Sequence, residues 1–191
     1  MGKLLGLDVS TTFVGVCLLD LERPIDELNA SHVVHLDHLE FKGKHGSSTW
    51  AKADHVRERF GAFKLGPDFA GLERVYVEAA LMRFTPGMSS MQAIASLLRF
   101  NGIVSYLVHD VFGVEPTHIT VGEARKLCGL KMQQKKNAGG RGHKEQVYDH
   151  FMANDLRTVT WPAKKRGGLV DWRFDVVDAY CVARAGHALN A

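Results

Sequence analysis

The sequence has few of the features that mark secreted, zinc-binding or membrane proteins. Only three of its 191 residues are cysteines, Cys17, Cys128 and Cys181, and no CxxC pair is present, which excludes a disulfide framework and a zinc ribbon. No apolar run approaches the ~20 residues of a membrane span, and the amino terminus lacks the basic start, apolar run and cleavage site of a signal peptide. We therefore expect a cytoplasmic protein that does not enter a membrane.

The composition is that of a folded domain. Hydrophobic residues make up 46% of the chain and charged residues 24%, which is typical of globular proteins and excludes disordered and fibrous ones. A length of 191 residues fits one domain spanning residues 1–191.

The positive charge is concentrated in one segment. Residues 131–166 contain nine lysines and arginines against three acids, whereas the rest of the chain contains 15 basic and 18 acidic residues. Clustered basic residues are typical of a phosphate-binding surface. A solvated mobile loop would have the same composition, and the charge alone does not separate the two interpretations.

The hydrophobic pattern predicts alternating strands and helices. Strands are predicted as a hairpin within residues 3–20, turning at residues 10–12, and at 32–41, 74–78 and 118–120. Helices are predicted at 47–63, 89–111, 123–130, 143–154 and 174–189. We expect Trp50 on the apolar face of the first helix, with Ser47 or Ser48 as its cap. The helix at 89–111 has little polar face, so we expect it to be buried almost all round, either under the sheet or with part of it against a second copy of the chain. The order of elements predicts an α/β fold with a mixed sheet and helices on its faces.

Two acidic residues stand where the pattern predicts apolar strands. Asp8 interrupts a run of Leu, Gly and Val, and an unpaired charge in such a place is costly. Glu78 follows the apolar residues 75–77, at the carboxyl end of a strand, where active sites of α/β sheets tend to lie. A structural role is open for each, because an Arg or Lys could neutralise Asp8 or Asp8 could cap the turn at residues 10–12.

A further pair of carboxylates lies on the last predicted helix. Asp175 and Asp178 are three residues apart, so they share one helix face and repel each other unless a cation lies between them. Asp171, one turn earlier, either joins this face or is an acid favoured at a helix amino terminus. If the acids from two strands and one helix converge, they would form an oxygen-only site for Mg²⁺ or Mn²⁺. The ten histidines do not cluster at metal-ligand spacing.

Four short motifs follow one another along nearly the whole chain. They are Gly6-Leu7-Asp8-Val9-Ser10-Thr11-Thr12 with Gly15, Val77-Glu78, His143-Lys144-Glu145-Gln146-Val147 and Asp175-Val176-Val177-Asp178-Ala179. In order, spacing and chemistry they resemble the RuvC-type Holliday-junction resolvases of the ribonuclease H-like superfamily. The Ser-Thr-Thr that follows Asp8 is more similar to phage-type members than to the common bacterial form.

The resemblance implies a fold, a reaction and a set of catalytic residues. The fold is a ribonuclease H-like mixed five-stranded sheet flanked by helices. Two Mg²⁺ or Mn²⁺ ions per site hydrolyse DNA phosphodiesters at a four-way junction, one activating water and the other stabilising the leaving oxygen. Metal ligands would be Asp8, Glu78, Asp175 and Asp178, and Lys144 would offset charge at the scissile phosphate.

Contacts to branched DNA are expected outside the carboxylates. Family members place an aromatic wedge three residues past the strand glutamate, where this chain has Leu81, so we assign Arg83 and Phe84 to DNA binding, although Phe84 could equally anchor the next helix. A basic flexible loop at about 131–142 is longer than the resemblance requires, and we interpret it as tracking phosphates. The basic residues assigned to DNA contact are Lys131, Lys135, Lys136, Arg141, Lys164, Lys165 and Arg166.

The resemblance also implies a homodimer, because two paired cuts on a two-fold junction are most simply made by a two-fold dimer. Three other functions are compatible with parts of the sequence. Another ribonuclease H-like nuclease could use the same carboxylates on an RNA–DNA hybrid. An actin-like or sugar-kinase ATPase also begins with Asp and hydroxyl residues in a turn, but it needs two such domains and a second phosphate loop. A junction-binding protein without cleavage would not need all four acids.

Overall fold

The computed structural model describes residues 2–22, 29–80 and 90–190. The strands are β1 (Lys3–Val9), β2 (Phe13–Asp20), β3 (Val33–Glu40), β4 (Leu72–Glu78) and β5 (Thr117–Ile119). The helices are α1 (Thr49–Leu65), α2 (Met91–Phe112), α3 (Val121–Leu127), α4 (His143–Ala153) and α5 (Arg173–Ala188). The predicted order of elements is confirmed, with small shifts at their ends.

The five strands form one mixed sheet in the order β3-β2-β1-β4-β5. β1 pairs antiparallel with β2, and β2 with β3, whereas β1, β4 and β5 are parallel. The turn between β1 and β2 is tight because the Ser10 hydroxyl accepts a hydrogen bond from the Phe13 amide at 2.9 Å. The predicted mixed five-stranded sheet flanked by helices is therefore confirmed.

Side chains of β1 alternate between two hydrophobic layers. Leu5 and Leu7 pack on one face with residues of α1 and α2, and Leu4 packs on the other with residues of α5. Gly6 lies on the α5 face, where an added Cβ would be 2.4 Å from the Ala179 carbonyl oxygen. A side chain there would push α5 away from the sheet, so glycine permits the close packing that positions this helix.

Helix α2 is only partly buried within one copy of the chain. Its buried residues are confined to Phe100, Asn101, Val104, Leu107 and Val108, while Met91 is 65% and Tyr106 59% exposed. Within one copy of the chain only one stripe of α2 faces the sheet and α1, so the sheet does not bury the helix all round, and burial of the remaining surface by a second copy stays a prediction. Within the described ranges it is also the one helix apolar and long enough to cross a membrane by length and composition, although polar residues such as Arg99, Asn101 and Asp110 interrupt its apolar run.

Helix α1 differs from its prediction in one side chain. Ser48 caps the helix by accepting a hydrogen bond from the Ala51 amide at 3.0 Å, and Val56 and Phe60 are buried as expected. Trp50 is 73% exposed and does not lie on the buried face. Trp50 lies in the first turn of α1, whereas the buried residues of this helix begin at Val56.

All three cysteines are free thiols buried in the interior. Cys17 lies on β2, and the sulfur atoms of Cys128 and Cys181 are 3.8 Å apart across the α3–α5 contact. No disulfide links them, as the spacing of the cysteines predicts.

Candidate active site

Asp8 and Glu78 lie at the same edge of the sheet. β1 and β4 are parallel, and Leu7 pairs with Val77, so the next residues, Asp8 and Glu78, are neighbours at the carboxyl ends of adjacent strands. Both continue the alternation that faces α5, because Gly6 and Tyr76 precede them by two positions. The fold therefore brings together two acids that are about 70 residues apart in the chain.

The first two turns of α5 bring two more carboxylates to this edge. Asp175 and Asp178 are 9% and 5% exposed, and Asp8 is 7% exposed. Gly15, which pairs with Asp8 across β1 and β2, has no side chain where a Cβ would lie 2.1 Å from the Asp175 carbonyl oxygen. This close approach sets the amino-terminal end of α5 against the strand that carries Asp8.

Lys144 extends from the first turn of α4 into the carboxylates. Its Nζ is 2.5 Å from Asp175 Oδ1, 3.6 Å from Asp178 Oδ2 and 4.0 Å from Asp8 Oδ2. A lysine is disfavoured by the dipole at a helix amino terminus, and here three carboxylates compensate for it. Lys144 is the lysine that the motif at residues 143–147 predicts to act at the site.

Three acids of this cluster, Asp8, Glu78 and Asp178, have pKa values above those of isolated carboxylates. Burial, followed by the charges of Glu78 and Asp178, raises the pKa of Asp8 well above its usual value. Burial and then the Asp178 charge raise the pKa of Glu78 to about 7, and burial also raises the pKa of Asp178. Lys144 does not supply enough positive charge to offset four ionised carboxylates, so the site favours a further cation or protons.

Although burial favours the neutral amine, the carboxylates of Asp8, Asp178 and Asp175 raise the pKa of Lys144. Lys144 is therefore an ammonium throughout the range in which the acids titrate. In residues 2–22, 29–80 and 90–190, no group of three His, Cys, Asp or Glu side chains is arranged to hold a metal ion. The donor set itself fits a hard divalent cation, because it consists of carboxylate oxygens, and such an ion would compete with the ammonium for the same lone pairs.

Two residues of this site escaped the sequence analysis. The charge of the Arg125 guanidinium, on α3, lowers the pKa values of Glu78 and Asp178, and its Nε is buried without a hydrogen-bond partner among the described residues. Asn101, on α2, donates from Nδ2 to the Glu78 carbonyl oxygen at 2.9 Å. Asn101 could have been identified from the sequence, because it is a polar residue within the apolar α2 segment. No feature of the sequence distinguishes Arg125 from its basic neighbours.

An aromatic pair borders the site on the β3 side. His38 lies in the same row as Asp8, because each pairs with Gly15 from opposite sides. Its ring stacks on that of Trp172 at 4.1 Å and 9°, one residue before α5 begins. The stack therefore helps to hold the first turn of the helix that carries Asp175.

Asp171 does not join the carboxylates. Its side chain is 77% exposed and accepts from Lys164 Nζ at 2.7 Å. Of the two interpretations of this residue, the one that adds it to the cluster is wrong, because it precedes the helix and points to solvent.

The structure describes seven of the nine residues assigned to DNA contact. Lys131, Lys135, Lys136, Lys165 and Arg166 are exposed, Arg141 pairs with Asp149 and Lys164 with Asp171. Residues 135–140 form turns, with neither helix nor strand between 131 and 142. The phosphate contacts of this segment and its flexibility stay predictions. Arg83 and Phe84, and Leu81 before them, lie outside the described residues.

Comparison with known proteins identifies solved structures with the same fold. No protein-family model matches the sequence, and no curated protein matches it. Among solved structures, Thermus thermophilus RuvC is similar over 98% of this chain and 95% of its own, with a TM-score of 0.61 and 15% identity. RuvC of that organism in complex with Holliday junction substrate has a TM-score of 0.60, 11% identity and coverages of 100% and 95%. The yeast mitochondrial Holliday junction resolvase Ydc2 has a TM-score of 0.56, 10% identity and coverages of 98% and 78%. The chain therefore has a RuvC-type fold.

Proposed function

We propose that this protein is a divalent-metal-dependent endonuclease that resolves Holliday junctions and related branched DNA by hydrolysing phosphodiesters. The observation that carries the proposal is the convergence of Asp8, Asp175 and Asp178 around Lys144, with Glu78 on the adjacent strand. A solved structure with this fold is RuvC in complex with Holliday junction substrate, which supports branched DNA as the substrate.

Each residue of the cluster has a chemical task in this proposal. Asp8, Glu78, Asp175 and Asp178 hold two Mg²⁺ or Mn²⁺ ions. When bound, the ions supply an activated water and stabilisation of the leaving 3′ oxygen. Lys144, whose Nζ lies 2.5 Å from Asp175, and Arg125, whose charge lowers the pKa of Glu78, offset negative charge at the scissile phosphate. Asn101 and the His38–Trp172 stack hold Glu78 and Asp175 in place.

The test of this function is cleavage of labelled four-way, three-way, flap, duplex and RNA–DNA hybrid substrates in Mg²⁺. We expect cuts near the branch point of the four-way junction and little cleavage of linear duplex, because carboxylates alone do not select a substrate and branch selectivity requires the surrounding surface. Omission of metal with EDTA is the control. Preferred cleavage of the hybrid would replace this proposal with a different ribonuclease H-like nuclease, and binding without any cleavage would indicate a junction-binding protein.

We also propose that the protein is a homodimer that uses the exposed apolar side of α2. Met91, Leu98 and Tyr106 are 65%, 38% and 59% exposed, which is a large apolar surface for one helix to leave in water. Light scattering at micromolar concentration is expected to give twice 21.2 kDa. Leu98→Lys with Tyr106→Lys should give the monomer mass, whereas Leu65→Lys, on another exposed leucine, should not. A wild-type protein that is monomeric with and without junction DNA would contradict the dimer.

A further inference from the structure

A basic and aromatic patch at the start of α1 has no role in the site described above. We call Lys42, Lys44, Trp50 and Lys52 the entry patch, because they surround the entry of the chain into α1. Residues 41–53 contain three lysines and no acid. Trp50 is 73% exposed, and an aromatic side chain of that size is costly to leave in water without a partner.

The entry patch is hydrogen-bonded to the turn that follows the strand carrying Asp8. The Phe41 amide donates to the Thr12 carbonyl oxygen at 3.0 Å, and Lys52 Nζ donates to the Thr11 carbonyl oxygen at 2.6 Å. Both oxygens belong to the turn at residues 10–12, which leads out of the strand that carries Asp8. Because α1 packs on one face of the sheet and α5 on the other, the entry patch and Lys144 lie on opposite sides of this turn.

The exposed lysines of the entry patch, Lys42 and Lys44, differ in their ion pairs. Lys44 forms no ion pair with any residue that the structure describes, and Lys42 pairs only with Glu40 at 2.5 Å while its side chain stays 77% exposed. The segment that leads into α1 therefore presents two exposed lysines, Lys42 and Lys44, which suit a polyanion.

A second copy of the chain fits this patch poorly. A two-fold interface places the same surface on both subunits, so the lysines of one copy would face those of the other. DNA fits better, because phosphates pair with lysines, and an aromatic ring packs on a sugar or on an unstacked base. The other described basic residues assigned to DNA all lie at residue 131 or later, outside α1 and the segment that leads into it.

We propose that the entry patch binds one arm of the branched DNA, on the side of the turn at residues 10–12 opposite to α4. Lys42 and Lys44 contact phosphates, and Trp50 packs against a deoxyribose or an unpaired base near the branch point. Lys52 holds the turn and adds positive charge. This inference rests on the proposed nuclease function, since it assigns a second contact surface to the same substrate.

The test compares two variants that change the opposite ends of α1. In the patch variant, Lys42→Gln, Lys44→Gln and Trp50→Ala are combined; the control combines Lys64→Gln and Leu65→Ala, which alters an exposed lysine and an 89% exposed leucine at the far end. Binding of a fluorescent four-way junction is measured in EDTA over a series of salt concentrations. We expect the patch variant to bind at least about tenfold more weakly and to lose roughly 2 from the salt slope, because each lost phosphate contact removes about 0.9. The control should match the wild type.

Fluorescence quenching gives a readout at Trp50 itself. The difference in acrylamide quenching between wild type and Trp50→Ala isolates this indole from Trp161 and Trp172. We expect junction DNA to protect it. Protection that rises with protein concentration in the absence of DNA would show that a second copy covers Trp50 and would overturn the proposal. Equal junction affinity of patch and control variants would also overturn it while the nuclease proposal stands, whereas a wild-type protein that binds no DNA would overturn both.

Discussion

Asp8→Asn, Glu78→Gln, Asp175→Asn and Asp178→Asn are each expected to abolish cleavage of a four-way junction while leaving junction binding largely intact. The amide keeps the shape of the side chain but is a much weaker ligand for a divalent cation than the carboxylate. Residues that only orient a metal ligand cost about 10- to 100-fold when they are changed, so loss of a ligand should exceed 100-fold. Single-turnover cleavage in Mg²⁺ and binding in EDTA measure the two effects separately.

Asp171→Asn is the matched control for these variants, because Asp171 is an acid just before α5 that lies outside the cluster. It should cleave at the wild-type rate. If any two of the four variants cut at the wild-type rate, the metal-site assignment is wrong.

Mg²⁺ should also raise the melting temperature of the wild type, by more at pH 8 than at pH 5. The pKa of Glu78 is raised from 4.5 to about 7 in the fold. Without metal, the folded state therefore loses stability as the pH rises through this window, and a bound cation removes that loss.

Replacing Lys131, Lys135, Lys136 and Arg141 together by glutamine is expected to weaken binding to every DNA substrate and to flatten its salt dependence. Each lost phosphate contact removes about 0.9 from the slope of log K against log salt on duplex DNA. Arg141 is paired with Asp149 and must leave this acid to reach a phosphate, so we expect a fall of roughly 3 rather than 4. Fluorescence anisotropy with junction and duplex DNA over a range of salt concentrations measures this slope.

The preference for branched over linear DNA should change much less in this quadruple variant, because phosphate contacts position a protein without specifying what it reads. Lys64→Gln, at the far end of α1, is the control for a single lost lysine and should leave the slope unchanged. An unchanged slope in the quadruple variant would show that the segment is only solvated. We would then expect the junction contacts around Arg83 and Phe84 and at Lys164, Lys165 and Arg166.

Local rules of sequence were sufficient for the order of elements and for the candidate ligands. The β1–β2 turn at residues 10–12 and the cap at Ser48 depend on side chains that bond to their own neighbourhood, so they are readable from short stretches of chain. Asp8 and Glu78 could be identified from the sequence because an acid within or directly after an apolar strand is unusual. The spacing of Asp175 and Asp178 placed both on one face of α5, and that needed only the period of a helix.

Only the tertiary structure decided which residues meet. Arg125 and Asn101 are 47 and 23 positions from Glu78 in sequence, and sheet order and helix packing bring them to it. Periodicity shows that a helix has an apolar face but not how much of that face a partner covers, which is why Trp50 is exposed against expectation and much of α2 is exposed within one copy of the chain. The same limit explains Asp171, because the choice between the carboxylate cluster and Lys164 depends on where α5 begins in space. Burial and pairing arise from contacts between distant segments, and these follow from the packed chain as a whole.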